Sequence, residues 1–402
     1  MQAQTRITQP GNVLGPDGTL LQTGYSTESV LKFNRDAIKA PPWRVKEWDF
    51  YQVSNDDYCL QLTYGHVSYA GDVSIRLFEF KTGKRIDLTR MLILPFNRLK
   101  LPTTADSGNI KYEQKGFTLE FQVYPGGRRL ICQVDVGCAS VSGSLDGDAG
   151  GVTGTGVGTG IVAGAGDSSA ATSGDERGTD HGDGPGAKRD VRAANGVKSP
   201  AVEIVIELAQ PDPTSIIMVT PFDEGPRMFY YNHKINCMPA SGYAQIGNHR
   251  YSFEPENNAF GLLDWGRGVW PFSQEWYWGS GSGWVNGKRF GFNIGYGFGN
   301  TAAATENILF YDGTAHKLSH VYFDLPGSGG YMAKKTFTSD DGRFEMTFTP
   351  IYDRYTETKL LFVDTRCHQI FGRFNGKAVL DSGEILEIRN LTAFTEHAVN
   401  NW

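Results

Sequence analysis

Paired cysteines are the first thing this chain lacks. Its five cysteines, Cys59, Cys132, Cys138, Cys237 and Cys367, are odd in number and scattered, with no Cys-x-x-Cys spacing. That pattern excludes a disulfide framework and a thiolate zinc site, and it points to reduced thiols in a cytoplasmic type of compartment. Basic charge is also short. The net charge is −6 over 402 residues, so neither nucleic acid nor an anionic membrane surface is an expected partner. No stretch approaches the roughly 18 apolar residues of a membrane span, and the opening MQAQTRITQPGN carries no apolar signal core. The histidines include no His-Glu-x-x-His. His316 and His320 stand four apart, but Asp312-Gly313 before them signals a hairpin and not a helix, so no metal site is expected. "GSGSGW" at 279–284 lacks the strand–glycine–helix context of a nucleotide loop, so no cofactor is expected.

Strand patterns fill the rest. Alternation is clear in "GFTLEFQV", with Phe117, Leu119, Phe121 and Val123 on one face, and in "FEMTF", with Phe344, Met346 and Phe348. Turn dipeptides recur at Asn286-Gly287, Asp312-Gly313, Asp341-Gly342, Asn375-Gly376 and Ser382-Gly383. One helix is expected near the C-terminus, in "NLTAFTEHAVNNW", with Leu391, Phe394 and Val399 on a stripe. From about 138 to 200 the chain is Gly, Ser, Ala, Thr and Asp, and no aromatic residue occurs from Pro125 to Pro221. Such a stretch cannot bury enough apolar area to offset its entropy and reads as a disordered insertion in a swollen hairpin. The expected organisation is an N-terminal extension (1–26), a first antiparallel β-barrel domain (27–235, holding the insertion) and a second (236–402).

The residues that raise a functional question are "LLDWGRGVWPFSQEWYWGSGSGW", 262–284, with five of the eight tryptophans around two acids and an arginine. A carboxylic acid in an apolar pocket has its pKa raised and can hold a proton at neutral pH, and aromatic faces stabilise a nearby cation by about 0.5–2 kcal/mol each. Alkene hydration or isomerisation needs those parts. On that view Asp264 is the proton donor, Arg267 its electrostatic partner and Glu275 a second acid or base. Trp265, Trp270, Trp276, Tyr277 and Trp278 line the pocket, and Asn293 and Tyr277 hold water or substrate. The plain alternative is a core in which Asp264 and Arg267 pair to fix a tight turn at "WGRG". A third option is a sugar-stacking site with Asp264 and Glu275 as an acid/base pair. In "RFGFNIGYGFG" the small residues Gly291, Asn293, Gly295 and Gly297 share one face, which implies either close packing or a ligand. Glu306 and Asn307 read as structural caps.

There is an internal echo. Glu47-Trp48 in "KEWDFYQV" and Glu275-Trp276 in "QEWYWGSG" both lead through a turn into alternating strand. This favours two related β-domains.

"DWGRGVWPFSQEWYWGSGSG", "GYGFGNTAAATENILFYDG", "FTSDDGRFEMTFTPIYDR" and "FNGKAVLDSGEILEIRNLTAFTEHAVNNW" resemble the domain-of-unknown-function family 2804 over nearly the whole chain outside the insertion. The layout is similar, more distantly, to the lipocalin-like (calycin) carotenoid and kievitone hydratases and related attachment-type proteins. That resemblance implies two calycin-type barrels packed together. It sets Glu47, Trp48 and Tyr51 where that group has Glu-Trp-x-Tyr, with Phe50 intervening, and makes Glu47 and Tyr51 candidate ligand contacts. Asp264-Trp265 falls near that group's Asp-x-Glu-Trp segment, from which Gly266-Arg267 departs. The function expected is the binding of a small apolar molecule, lipid- or isoprenoid-like, with hydratase or isomerase chemistry. The oligomeric state is left open.

Overall fold

Alternating apolar residues build almost every element. The computed structural model describes residues 4–67, 70–95, 99, 101–136, 201–360 and 363–402. Among these the helices are single 3-10 turns at Arg35–Ala37, Pro42–Arg44 and Pro255–Asn257. The strands are β1 (Gly11–Asn12), β2 (Gly24–Ser26), β3 (Leu31–Lys32), β4 (Val45–Ser54), β5 (Tyr58–His66), β6 (Ala70–Glu79), β7 (Arg85–Ile93), β8 (Ile110–Gln114), β9 (Phe117–Tyr124), β10 (Gly127–Val134), β11 (Val202–Ala209), β12 (Ile216–Pro221), β13 (Phe229–Ile246), β14 (His249–Phe253) and β15 (Phe260–Val269). They continue as β16 (Ser273–Val285), β17 (Lys288–Tyr296), β18 (Ile308–Tyr311), β19 (Thr314–Lys317), β20 (Val321–Tyr322), β21 (Lys335–Ser339), β22 (Phe344–Leu360), β23 (Val363–Val379) and β24 (Ile385–Asn401).

Two curled antiparallel sheets result. The first runs β7-β6-β5-β4-β15-β13-β11-β10-β9-β8, with β12 and β14 added along β13 and β2 along β12. The second runs β19-β18-β17-β16-β24-β23-β22-β21-β20. Each encloses its own core: Tyr51, Leu62, Ile75, Phe121, Ile206 and Trp265 in the first, and Phe290, Phe292, Phe337, Phe348 and Phe374 in the second. A further cluster joins the two, where Cys59, Phe78, Phe80 and Leu262 meet Trp278, Phe371 and Phe394. No helix among the described residues is long and apolar enough to cross a membrane.

The alternation in "GFTLEFQV" and "FEMTF" is realised as β9 and the start of β22, with Phe117, Leu119, Phe121, Phe344, Met346 and Phe348 buried. The hairpin at Asp312-Gly313 joins β18 and β19 as expected. Asn375-Gly376 does not turn the chain; it lies inside β23 at a bulge against β24. The expected C-terminal helix is a strand. β24 is paired on both sides, with β16 and β23, so ladder hydrogen bonds override the helical stripe. Within the expected N-terminal extension, Ile7, Val13 and Leu14 enter the first core and β2 pairs with β12. The boundary expected at 235/236 falls inside β13, and the chain passes between sheets at 270–272.

The expected disorder of 138–200 lies outside the described residues. Its flanks are a hairpin pair, with β10 and β11 in register to the end at Val134↔Val202. Replacing 138–200 by a short Gly-Ser turn is therefore expected to move the thermal midpoint by less than about 5 °C. A fall of more than about 10 °C, well over 1 kcal/mol at this size, would contradict it.

Candidate functional site

A strand turns successive side chains to opposite faces, and that parity sorts the expected site residues into three places. "WGRG" is not a turn but the middle of β15. Asp264 and Arg267 are three residues apart on it, so they face opposite ways and do not pair.

Arg267 lies inside the first core with Trp265, Glu47 and Tyr51. All five of its N–H groups are used. Nη2 donates to Asp49 Oδ1 at 2.7 Å and Pro102 O at 3.0 Å. Nη1 donates to Trp48 O at 2.7 Å and Gly266 O at 2.9 Å, and Nε to Pro102 O at 3.2 Å. Its guanidinium also sits 4.1 Å over the Trp265 ring. Glu47 is bound by Arg35 Nε at 2.7 Å and faces His66 Nε2 at 3.2 Å. Burial pushes the Glu47 carboxyl up, but His66, Arg267 and Arg35 outweigh it and hold the group below its ordinary value. Asp49 goes the other way: burial dominates, and the Arg267 charge only partly offsets it. With every donor committed, Arg267 is a structural cation.

Asp264 faces the junction between the sheets, together with Trp270, Trp276, Trp278 and Asn293. Trp48 Nε1 donates to Asp264 Oδ2 at 3.1 Å. The second sheet repeats the motif, since Trp276 Nε1 donates to Glu396 Oε1 at 2.8 Å. In both cases the acid lies on the neighbouring strand, one diagonal step from the indole: Trp48 opposes Gly266 and Trp276 opposes Ala398. The Glu-Trp echo is therefore a structural equivalence in strand parity, with the tryptophan toward the junction and the glutamate on the opposite face, buried for Glu47 and exposed for Glu275. Burial raises the pKa of Asp264, against the charge of Lys234 and the Trp48 hydrogen bond. Burial raises Glu396 likewise, against Trp276, Arg354 and Lys234. Both acids are thus biased toward the protonated form.

Around them, Lys234 Nζ donates to Glu306 Oε2 at 2.5 Å and lies 4.2 Å from the Trp278 ring centre. Asn293 accepts from Trp278 Nε1 at 2.8 Å and donates to Glu306 Oε2 at 2.9 Å. The small-residue face of β17 is filled by protein. A Cβ on Gly295 would lie 2.2 Å from Glu306 Oε1, and one on Gly291 2.3 Å from Cys237 Sγ. Close packing, not a ligand, explains those two glycines. Asn307 is structural, accepting from Gly295 N and donating to Ser319 O.

Glu275 and Tyr277 point into the second sheet, away from Asp264. Glu275 Oε1 instead faces His397 Nε2 at 2.7 Å. Sequence reasoning missed Glu396, Lys234 and Tyr230 at the junction. Reading 391–402 as a strand would have exposed Glu396, two residues from Phe394 on the same face.

A family model described as a domain of unknown function, DUF2804, matches residues 4–150 and 164–402. The chain belongs to that family. No curated protein matches it. Among solved structures, this DUF2804 chain is similar to a protein assigned as AttH from Nitrosomonas europaea, at 12% identity and TM-score 0.48, covering 91% of this chain and 96% of that one. It is also similar to kievitone hydratase from Nectria haematococca, at 7% identity and TM-score 0.42 over 98% of each chain. CghA with Sch210972 aligns at 10% identity and TM-score 0.39 over 88% of each.

Proposed function

We propose that this DUF2804 protein binds a small apolar molecule at the junction and acts on it as a cofactor-independent hydratase or isomerase, with Asp264 as proton donor. The observation that carries this is the seat of Phe298. Its ring is surrounded by Phe222 (5.3 Å between centroids), Tyr230 (4.8 Å), Trp270 (5.5 Å) and Trp276 (5.4 Å), all near perpendicular. Two of these rings lead to the acids. Tyr230 OH reaches Asp264 Oδ1 at 3.5 Å, and Trp276 holds Glu396. Phe298 belongs to the loop after β17, between Gly297 and Gly299, both at positive φ (94° and 76°), which L side chains rarely adopt. It occupies an aromatic box from outside the strands, where an apolar ligand would compete with it.

Within such a box a protonated Asp264 delivers its proton to an alkene carbon, the indole and phenol faces stabilise the cation, and the Asp264 carboxylate left behind takes a proton from the attacking water, which restores the acid. Isomerisation uses the same first step and returns the proton from the adjacent carbon. Asn232 Oδ1 and Trp270 Nε1 are buried without a protein partner and supply polar contacts for water or a ligand hydroxyl. A sugar-stacking groove would need open indole faces, whereas Trp265, Trp270 and Trp278 are buried.

Phe298→Ala is expected to increase the affinity of a monoterpene alcohol such as citronellol several-fold, read by quenching of tryptophan fluorescence. Phe298→Trp is expected to weaken it. Equal affinities in wild type and both variants would place the ligand elsewhere.

A further inference from the structure

Glu275 was expected beside Asp264, and its actual surroundings define a separate arrangement. Its side chain is 53% exposed, and His397 beside it in β24 is 11% exposed. His397 Nδ1 lies 2.7 Å from the hydroxyl of Tyr331, in the loop between β20 and β21. Tyr277 OH also donates to Glu275, at 3.0 Å. The hydrogen-bond roles follow from chemistry. The hydrogen bond from His397 holds the Glu275 carboxyl below its ordinary value, so it accepts. His397 Nε2 must then carry the proton, which leaves Nδ1 of the neutral ring as an acceptor for the Tyr331 O–H. The imidazole is held flat by Tyr277, stacked 4.4 Å away at 5°. Tyr331 is held by His368, stacked 3.6 Å away at 13°, and His368 Nδ1 is itself bound to Asp353 Oδ2 at 2.7 Å. Carboxylate, imidazole and hydroxyl thus stand in line, each ring fixed by a neighbour, which is the arrangement that activates an oxygen nucleophile.

We propose that Glu275, His397 and Tyr331 form a second chemical site that hydrolyses small, uncharged aryl or short-chain esters, with Tyr331 as nucleophile, His397 as base and Glu275 as the positioning carboxylate. The Tyr331 oxygen bonds to the ester carbonyl carbon as the C–O bond to the alcohol breaks. The phenolic proton passes to His397 Nδ1 and from there to the departing alkoxide. Water, giving its proton to the same nitrogen, then opens the tyrosyl ester, which returns the acid and the free phenol. The imidazole is needed, because burial and the charge of Asp353 hold the Tyr331 phenol above its ordinary pKa. Charge sets the substrate class: Glu275 and Asp353 flank the site and repel anionic esters, while the partly exposed Tyr355 ring beside His368 (4.4 Å) offers a face to a planar acyl or aryl group.

The test is hydrolysis of p-nitrophenyl acetate by the full chain as a function of pH, with peptide mapping of the acetyl adduct. The groups facing His397 are Glu275 and Tyr277 from β16, His368 across in β23 and Tyr331 from the loop. The expected result is an acetyl group on Tyr331 and a rate that rises as an imidazole loses its proton, then levels. Tyr331→Phe and His397→Gln should each lower the rate at least tenfold. Glu275→Gln should lower kcat several-fold with little change in KM, because His397 loses the acceptor that orients its ring. Tyr322→Phe, at an exposed tyrosine outside the site, should change nothing. If His397→Gln does not fold, Glu275→Gln carries the same test at a half-exposed position. Acetylation of Tyr322 as fast as Tyr331, or an undiminished rate in Tyr331→Phe, would overturn the proposal.

Discussion

Arg267→Met is expected to be among the most damaging single substitutions in the chain, costing about 3–5 kcal/mol and lowering the thermal midpoint by roughly 10 °C. Methionine keeps much of the side-chain volume, so the loss is one of charge and hydrogen bonds. It leaves Asp49 buried without its 2.7 Å partner and strips donors from the carbonyls of Trp48 and Pro102. The double variant Arg267→Met/Asp49→Asn separates orphaned charge from lost packing. With the acid neutralised, it should be more stable than Arg267→Met alone by about 1 kcal/mol or more, within the range of coupling between contacting residues. Calorimetry of the four proteins gives the coupling directly. If the single variant melts within 2–3 °C of wild type, or the double variant is the less stable of the two, Arg267 is not the cation that neutralises this core.

Asp264→Asn is expected to behave in the opposite sense, with turnover lost by about 10²–10⁴-fold, the usual share of a general acid, and the fold intact. The amide can still accept from Trp48, and Lys234 keeps Glu306 at 2.5 Å, so no charge is orphaned. The pH dependence follows from burial having raised the Asp264 pKa. Between its ordinary value of 3.8 and its raised folded value, the folded state holds a proton that the unfolded state has released. Stability therefore falls as pH rises through that window. Asparagine carries no such liability. The midpoint of Asp264→Asn minus that of wild type should be near zero at about pH 4 and positive at pH 7. A variant that melts early at pH 7 and still turns over the native substrate would show that Asp264 is a structural acid.

Strand content was the most legible part of the sequence, because a period of two needs no partner to be seen. Phe117, Leu119 and Phe121 announce β9, and Asp312-Gly313 announces its hairpin. The site is less legible because proximity along the chain is not proximity in space. Asp264, Arg267 and Glu275 lie within twelve positions, yet they stand at the junction, in the first core and at an exposed position on the second sheet. Strand parity separates Asp264 from Arg267 on sequence alone, once "WGRG" is read as extended. Parity also separates Glu275 from Trp276 and Trp278. What parity cannot supply is the identity of neighbours across the sheets. Nothing local to Lys234, Tyr230 or Phe298 shows that they meet Glu306, Asp264 and Trp270. Glu396 was hidden for another reason. Leu391, Phe394 and Val399 satisfy a helical stripe, and only pairing with β16 and β23 decides against it.

The order of strands also has a consequence for how the molecule is made. β4 pairs with β15 from Val45↔Val269 to Ser54↔Phe260. On the ribosome, roughly 200 residues must be added after β4 before its partner exists, which takes about 10–40 s at 5–20 residues per second. During that time the nascent β4–β7 meander carries an open edge, a row of unpaired amides and carbonyls that can recruit a second nascent chain. Trp48 and Phe50 stand on that edge with their eventual neighbours untranslated. A ribosome stalled before codon 260 holds a fragment that cannot close its own sheet, and the emergence of β15 is the event that first covers the second edge of β4, the other being held by β5.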